Sequence, residues 1–192
     1  MEPSVLVASH LSALFPATQP IPVFSTQTAF PTDPPRYPSS QSPEHASFAA
    51  LFHFSQTGTI LLRVSHDGHL LELLSLAHDV PPLRFDFPAA ILPSPSIMLW
   101  ENEELHVLLA TRFSSLYRIV IPLREGAPIW SPTANRRWYR EYVIQTPCDG
   151  LVQVQSTHSV VLTLPDGSIL RLEADDLGGD TTDGKPISHL HT

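Results

Sequence analysis

This sequence twice places the dipeptide Asp-Gly between two short apolar strands, at 60–73 and again at 160–172. A two-residue hairpin turn needs positive φ, which glycine adopts at no steric cost, so both copies predict a tight β-hairpin. A third hairpin lies between them, with strands at 105–110 and 116–121 joined by a turn at 111–115. Hairpins that recur at roughly 40–50 residues, about one blade apart, predict a β-propeller.

Short β-rich runs follow one another from Ser47 onward, and no segment sustains the 3.6-residue periodicity of a helix. We predict strands at 48–54, 59–65, 69–76, 96–101, 104–110, 115–121, 141–146, 150–155, 158–164 and 168–173. The run 105–110 is apolar on both faces, which is typical of a sheet covered on both sides. The predicted fold is all-β, a partial β-propeller of about three to four blades of antiparallel strands.

Proline divides the chain into segments. Nine of the 20 prolines fall in the first 43 residues, where they disfavour a helix or a central strand. We predict an N-terminal segment at 1–46 with a Pro-rich loop or linker, the partial propeller at 47–176, and a polar C-terminal tail at 177–192. A seven-bladed propeller needs roughly 300 residues. We therefore expect a fragment of a longer protein, a different fold, or pairing with another chain.

Composition narrows the classes of partner. The formal net charge is −8, and the only lysine, Lys185, stands against ten arginines. Such an acidic chain has few cations to bind a phosphate backbone, so we do not expect nucleic-acid binding as its main role. Cys148 is the only cysteine, which excludes an internal disulfide and favours a reducing compartment. No apolar run approaches the roughly 18 residues of a membrane span, so we expect a soluble, intracellular protein without membrane insertion.

Motifs that carry chemistry are incomplete. Gly179 to Lys185 matches the skeleton of a phosphate-binding loop, but Pro186 stands where Ser or Thr should hold magnesium, which favours a surface loop. His66 and His69 flank the first Asp-Gly without a further pair of ligands, which favours a solvated hairpin tip over a metal site. No nucleophile motif is present. We predict no catalytic residue, no cofactor and no metal, and we expect that the chain is not an enzyme.

One segment has the composition of an interaction surface, because arginine alternates with aromatic residues between 135 and 142. The residues predicted to form a protein-contact patch are Arg136, Arg137, Trp138, Tyr139 and Arg140. Two alternatives remain open for this segment. Its aromatic rings can stack on single-stranded RNA, or Trp138 and Tyr142 pack into the core while the arginines lie at the rim.

Three stretches, taken in order, resemble the N-terminal propeller region of the large Y-complex nucleoporins of the 120/160 type. They are Leu105-His106-Val107-Leu108-Leu109-Ala110-Thr111 with 115–122, then Arg137-Trp138-Tyr139-Arg140, and then the hairpin at 161–172. The resemblance covers residues 48–175, which is most of the chain. The resemblance depends on the order and the spacing of the three stretches. A single strand-Asp-Gly-strand unit is common to many propellers and would not be specific.

The resemblance implies a non-enzymatic scaffold component of the nuclear pore complex at the nuclear envelope. Such a protein supports nucleocytoplasmic transport of protein and mRNA export through contacts with other nucleoporins of the Y-shaped complex, and takes no small-molecule substrate. The chain contains no Phe-Gly dipeptide, which excludes a role in the permeability barrier. The alternatives are a generic β-propeller adaptor, in trafficking or ubiquitin ligation, and an RNA-binding module.

Overall fold

The computed structural model describes residues 19–25, 46–93, 95–100, 104–112, 115–129, 139–143, 149–154 and 159–172. These residues form thirteen β-strands, and none of them is helical. The prediction of an all-β fold is confirmed. Within the same ranges no helix has the length and hydrophobicity to cross a membrane. The predicted tail, including the Gly179 to Lys185 sequence, lies outside the described residues.

The strands form three sheets. In chain order they are β1 (Ile21–Pro22), β2 (Ala46–Phe54), β3 (Gly58–Ser65), β4 (Leu70–Ser75), β5 (Leu83–Asp86), β6 (Ser96–Trp100), β7 (Glu104–Thr111), β8 (Ser115–Arg124), β9 (Ala127–Pro128), β10 (Tyr139–Val143), β11 (Gly150–Val154), β12 (Ser159–Thr163) and β13 (Ile169–Leu172). The first sheet has the order β1-β5-β4-β3-β2, the second β10-β8-β7-β6 with β9 beside β8, and the third β11-β12-β13. All pairings are antiparallel except that of β1 with β5, which is parallel.

Every predicted strand has a counterpart in the structure, whereas β1, β5 and β9 were not predicted. Strand β5 begins directly after Pro81 and Pro82, although a proline pair is typical of a connection between strands. A proline that immediately precedes a strand removes no hydrogen bond from the ladder. The pair therefore marks the start of β5 and does not prevent it.

The two Asp-Gly turns share a geometry that differs from the expected one. In each turn the glycine amide donates to the carbonyl three residues earlier, at 2.9 Å, Gly68 to Ser65 and Gly167 to Leu164. Both glycines have positive φ, 78° and 83°, whereas the aspartates before them do not. Each glycine therefore occupies the left-handed position that follows the turn, as in three-residue hairpin loops. The prediction of two-residue turns at Asp-Gly is wrong.

A two-residue turn occurs instead at Glu125 and Gly126, which join β8 to β9. Their φ angles are 51° and 80°, and Arg124 pairs with Ala127 across them. Positive φ at both central residues is what this kind of hairpin turn requires. Gly126 also lies close to the β2–β3 turn, because a Cβ added to it would stand 2.4 Å from the carbonyl oxygen of Gln56.

The hydrophobic core lies between the first and second sheets. Alternate side chains of β3, β4 and β5 pack against alternate side chains of β7 and β8, as the two-residue period of a strand dictates. Leu62 and Leu71 in the first sheet and Val107 and Ile119 in the second are fully buried. Each such side chain stabilises the fold by about 1.5–3 kcal/mol relative to exposure. The two sheets are therefore one packed unit.

The second sheet is buried on its other face as well. Leu108, Ala110 and Leu116 point away from the shared core and are at most 1% exposed. His106 lies on this face, where burial lowers the pKa of its imidazole despite the Glu104 carboxylate 3.2 Å away. Strand β11 of the third sheet contacts β6 and β7. The third sheet therefore lies next to the second, and the expectation that 105–110 is covered on both faces agrees with the burial of β7.

Candidate protein-interaction surface

The predicted contact patch reaches the described part of the chain at its last two residues. Outside the described residues lie Arg136, Arg137 and Trp138. Tyr139 and Arg140 begin β10, the edge strand of the second sheet, where they pair with Ile119 and Arg118 of β8. Successive side chains of a strand point to opposite faces, so these two residues serve different surfaces.

The side chain of Tyr139 makes its contacts with other residues of this chain. Its ring packs against the hydrophobic core and lies edge-on to Tyr117, with 6.2 Å between the ring centroids. Its hydroxyl oxygen accepts a hydrogen bond from the backbone amide of Phe24 at 2.8 Å. Tyr139 therefore attaches the segment that carries β1 to the edge of the second sheet. The prediction that the whole patch contacts a partner stays a prediction.

Glu141 is the centre of a polar cluster beside Tyr139. One carboxylate oxygen, Oε1, accepts hydrogen bonds from the hydroxyls of Ser25 at 2.6 Å, Ser115 at 2.6 Å and Tyr117 at 3.0 Å. Glu141 pairs with Tyr117 across β10 and β8, which puts both side chains on one face. The carboxylate thereby joins β10, β8 and the end of the β1 segment. Hydrogen bonds to a charged acceptor are among the stronger ones in proteins.

Burial raises the pKa of the Tyr117 phenol well above its ordinary value, and the negative charge of Glu141 raises it further. The hydroxyl therefore stays protonated and donates to Glu141. We expect Tyr117→Phe to lower the free energy of unfolding by about 1–2 kcal/mol at neutral pH, since it removes a hydrogen bond to a carboxylate. Urea unfolding monitored by tryptophan fluorescence measures this loss.

The same pKa shift predicts alkaline sensitivity. The folded state holds the Tyr117 proton more tightly than the unfolded state, so the stabilisation is complete below about pH 10 and is lost as the pH rises further. Tyr117→Phe should therefore lose less stability than the wild type between about pH 9.5 and 11.5. Tyr142→Phe is the control, because Tyr142 pairs with Leu116 on the opposite face. Equal alkaline losses in all three proteins would contradict this account.

Strand β2 has an edge that no other strand of the described residues pairs with. It ends the first sheet, where β3 is its neighbour. Its burial alternates, and one face carries exposed Ala49, Leu51 and His53, with Leu51 64% exposed. Ala46–Phe54 contains no Lys, Arg, Asp, Glu or Pro, the residues that usually protect an edge from pairing. This edge can therefore accept another extended strand.

Sequence reasoning missed a buried ionic cluster on the first sheet. Arg63, Glu72 and Arg84 stand opposite one another on β3, β4 and β5, and are 8%, 1% and 6% exposed. Arg84 donates through Nε at 2.8 Å and Nη2 at 2.7 Å to Oε1 of Glu72, and Nη1 of Arg63 lies 3.5 Å from Oε2. The sequence did contain a signal for this cluster, because three consecutive apolar strands each carry one charged residue at positions that pair across the sheet.

The two histidines of the β3–β4 turn have different surroundings. His66 is exposed, as predicted for a hairpin tip, whereas His69 is 4% exposed. Because a carbonyl oxygen only accepts, Nδ1 of His69 donates to the Phe87 carbonyl at 2.9 Å. The expectation of a solvated tip is therefore wrong for His69. Among the described residues no three His, Cys, Asp or Glu side chains are placed to hold a metal ion.

Comparison with known proteins finds no protein-family model and no curated protein that matches this chain. The resemblance to Y-complex nucleoporins therefore depends on the three stretches between 105 and 172 alone.

Proposed function

We propose that this chain is a non-enzymatic scaffold protein whose three sheets are blades of a partial β-propeller. Strands β2 to β5 form one four-stranded antiparallel meander, and β6, β7, β8 and β10 form the next. Propeller blades are meanders of this kind that pack face to face. The observation that carries the proposal is the packing of the first meander on the second through a shared core, with the second sheet buried on both faces.

We place this scaffold in the nuclear pore complex at the nuclear envelope, in contact with other nucleoporins of the Y-shaped complex. The support is the resemblance of the stretches between 105 and 172, together with the edge of β2, which is unpaired among the described residues. An extended strand from a partner nucleoporin can add to that edge through backbone hydrogen bonds, with Leu51 supplying apolar contact. In this role the protein supports nucleocytoplasmic transport and mRNA export through protein contacts.

The test is to tag the chain at its own gene, image it, and purify it with its partners under mild conditions. We expect a signal at the nuclear rim and recovery of Y-complex nucleoporins. Leu51→Glu should reduce that recovery, because it replaces the apolar contact that Leu51 would make with the added strand by a charged group at the edge of the sheet. Leu76→Glu is the matched control, since Leu76 is also exposed, at 45%, but lies outside β2.

Two results would contradict the pore assignment. The first is a tagged chain away from the nuclear rim that recovers no nucleoporin, which would favour the generic adaptor. The second is equal loss of partners in the Leu51 and Leu76 variants, which would remove β2 from the contact.

A further inference from the structure

We infer that a second copy of this chain adds to the edge of β2, so that the first sheets of two copies join into one continuous sheet. Strand β2 ends its sheet, and among the described residues β3 is the only strand that pairs with it. The inference goes beyond the proposed scaffold role, which gives this edge to another nucleoporin. The two occupants exclude each other, so a second copy takes the edge when no partner strand is bound.

The apolar side chains of β2 are incompletely covered in the single chain. Leu51, in the middle of one face, is 64% exposed. On the opposite face three aromatic side chains pack against the hydrophobic core but remain partly exposed, namely Phe48, Phe52 and Phe54. A neighbouring strand lies about 4.8 Å away, close enough to cover the outer parts of these rings. An added strand with apolar side chains therefore completes the burial of this edge.

Strand β2 itself has the composition that this edge requires. It carries phenylalanine at alternate positions on one face and Leu51 on the other, and it contains no Lys, Arg, Asp, Glu or Pro. Two copies of a chain with a net charge of −8 repel each other, and this repulsion is least where neither surface carries a charge. Like charges opposite each other across two strands are destabilising, and two β2 strands place none there. The occupant that fits this edge is therefore β2 of a second copy.

An antiparallel pairing about a two-fold axis at Ala50 fits the side chains of both faces. Ala50 is the middle residue of β2, and residues 48–52 around it pair regularly with β3. This register sets Leu51 of each copy opposite Ala49 of the other, a large side chain against a small one. On the core face it sets Phe48 opposite Phe52, and aromatic pairs across strands are favourable. A contact in which the same surface serves both copies closes on itself, so the assembly stops at a dimer.

The test is analytical ultracentrifugation of the purified full chain over a range of concentrations. One pair of nine-residue strands is a small interface, so we expect a dissociation constant on the order of 10⁻⁵ M. The chain should therefore be monomeric at about 1 μM and mostly dimeric at about 200 μM. A reducing agent keeps Cys148 from linking two chains through a disulfide. A monomer at every concentration, or aggregates that grow beyond a dimer, would overturn the inference.

Charged variants locate the contact and test its register. Leu51→Glu should weaken the dimer about tenfold or more, because it puts a carboxylate into an apolar edge contact. Leu76→Glu, at an exposed leucine outside β2, is the control and should leave the dimer unchanged. Ala49→Lys alone should also weaken the dimer, whereas an equal mixture of the Leu51→Glu and Ala49→Lys chains should restore it, since the two charges then face each other.

Two results of this series count against the inference. Equal weakening by Leu51→Glu and Leu76→Glu would place the contact away from β2. A mixture that dimerises no better than either variant alone would contradict the register at Ala50. Thermal unfolding of each variant, with a transition like that of the wild type, shows that a lost dimer is not a lost fold.

Self-association and the pore assignment can fail separately. If the purified chain stays monomeric but the tagged chain still recovers Y-complex nucleoporins, the inference of a dimer alone is wrong. If the chain dimerises through β2 as expected but no nucleoporin is recovered, the pore assignment is wrong and the edge serves the second copy.

Discussion

Replacing Glu72 with alanine should lower the free energy of unfolding by about 3–5 kcal/mol, the loss expected when one partner of a buried ionic cluster is removed. Glu72 lies between Arg63 and Arg84 on neighbouring strands, and all three are less than 10% exposed. The variant removes a carboxylate that both guanidinium groups face, and their positive charges then lose this partner in a poorly solvated place. Urea unfolding at neutral pH measures the loss.

A triple variant separates the net contribution of this cluster to the free energy of unfolding from the cost of removing one of its members. Arg63→Met, Glu72→Leu and Arg84→Met together replace all three charged side chains of the cluster with apolar ones. We expect the triple variant to recover most of the stability that Glu72→Ala loses. Glu125→Ala, at an exposed carboxylate, is the control and should change stability by less than about 0.5 kcal/mol. A Glu72→Ala protein as stable as this control would contradict the account.

Replacing Gly126 with alanine should cost about 3 kcal/mol, for two reasons that add. Its φ of 80° is in the left-handed region, which costs a residue with a Cβ roughly 1–2 kcal/mol. The new Cβ would also stand 2.4 Å from the carbonyl oxygen of Gln56, so the β8–β9 and β2–β3 turns must move apart. Thermal or urea unfolding measures the change.

Gly167 is a matched control for this prediction. Its φ is 83°, and a Cβ added to it meets no atom within 4 Å. Gly167→Ala should therefore carry the conformational cost alone, about 1 kcal/mol. The difference between the two variants measures the contact between the two turns. Equal losses would mean that the approach of Gly126 to Gln56 contributes nothing to stability.

The strands of this chain were predictable because their signals are local. Short apolar runs on either side of each Asp-Gly dipeptide predicted β3, β4, β12 and β13 directly. Even there, the turn geometry differed from the expectation. Glycine supplies positive φ at several turn positions, and the dipeptide Asp-Gly alone does not say which one it occupies. The structure puts Gly68 and Gly167 after the turn.

The pairing of β1 with β5 could not be predicted. Ile21 pairs with Phe85 in a parallel arrangement, and the two residues are far apart in the chain. Pro22 would ordinarily argue against a strand at this position. Pro22 is tolerated because β1 lies at the edge of its sheet, where one side of the backbone needs no partner. A sequence pattern describes residues that are neighbours along the chain, so it does not indicate which strand lies at the edge of a sheet.

The candidate surface shows the same division. Composition indicated the segment that contains Tyr139 and Arg140, because the arrangement of arginine and aromatic residues is itself a local signal. The role of Glu141 had no such signal, since its Ser25 partner is 116 residues away. The order of residues 46–54 likewise does not show that β2 ends its sheet, because that position is set by the pairing of the whole sheet.

Strand positions and the all-β class thus follow from the amino-acid order, because side-chain alternation and turn residues act over a few neighbouring positions. The burial of Arg63, Glu72 and Arg84 and the attachment of the β1 segment at Glu141 follow from packing. Each of these features joins residues from different strands or sheets. Their physical basis is the loss of solvent and the contacts that arise when those sheets stack, which no local pattern encodes.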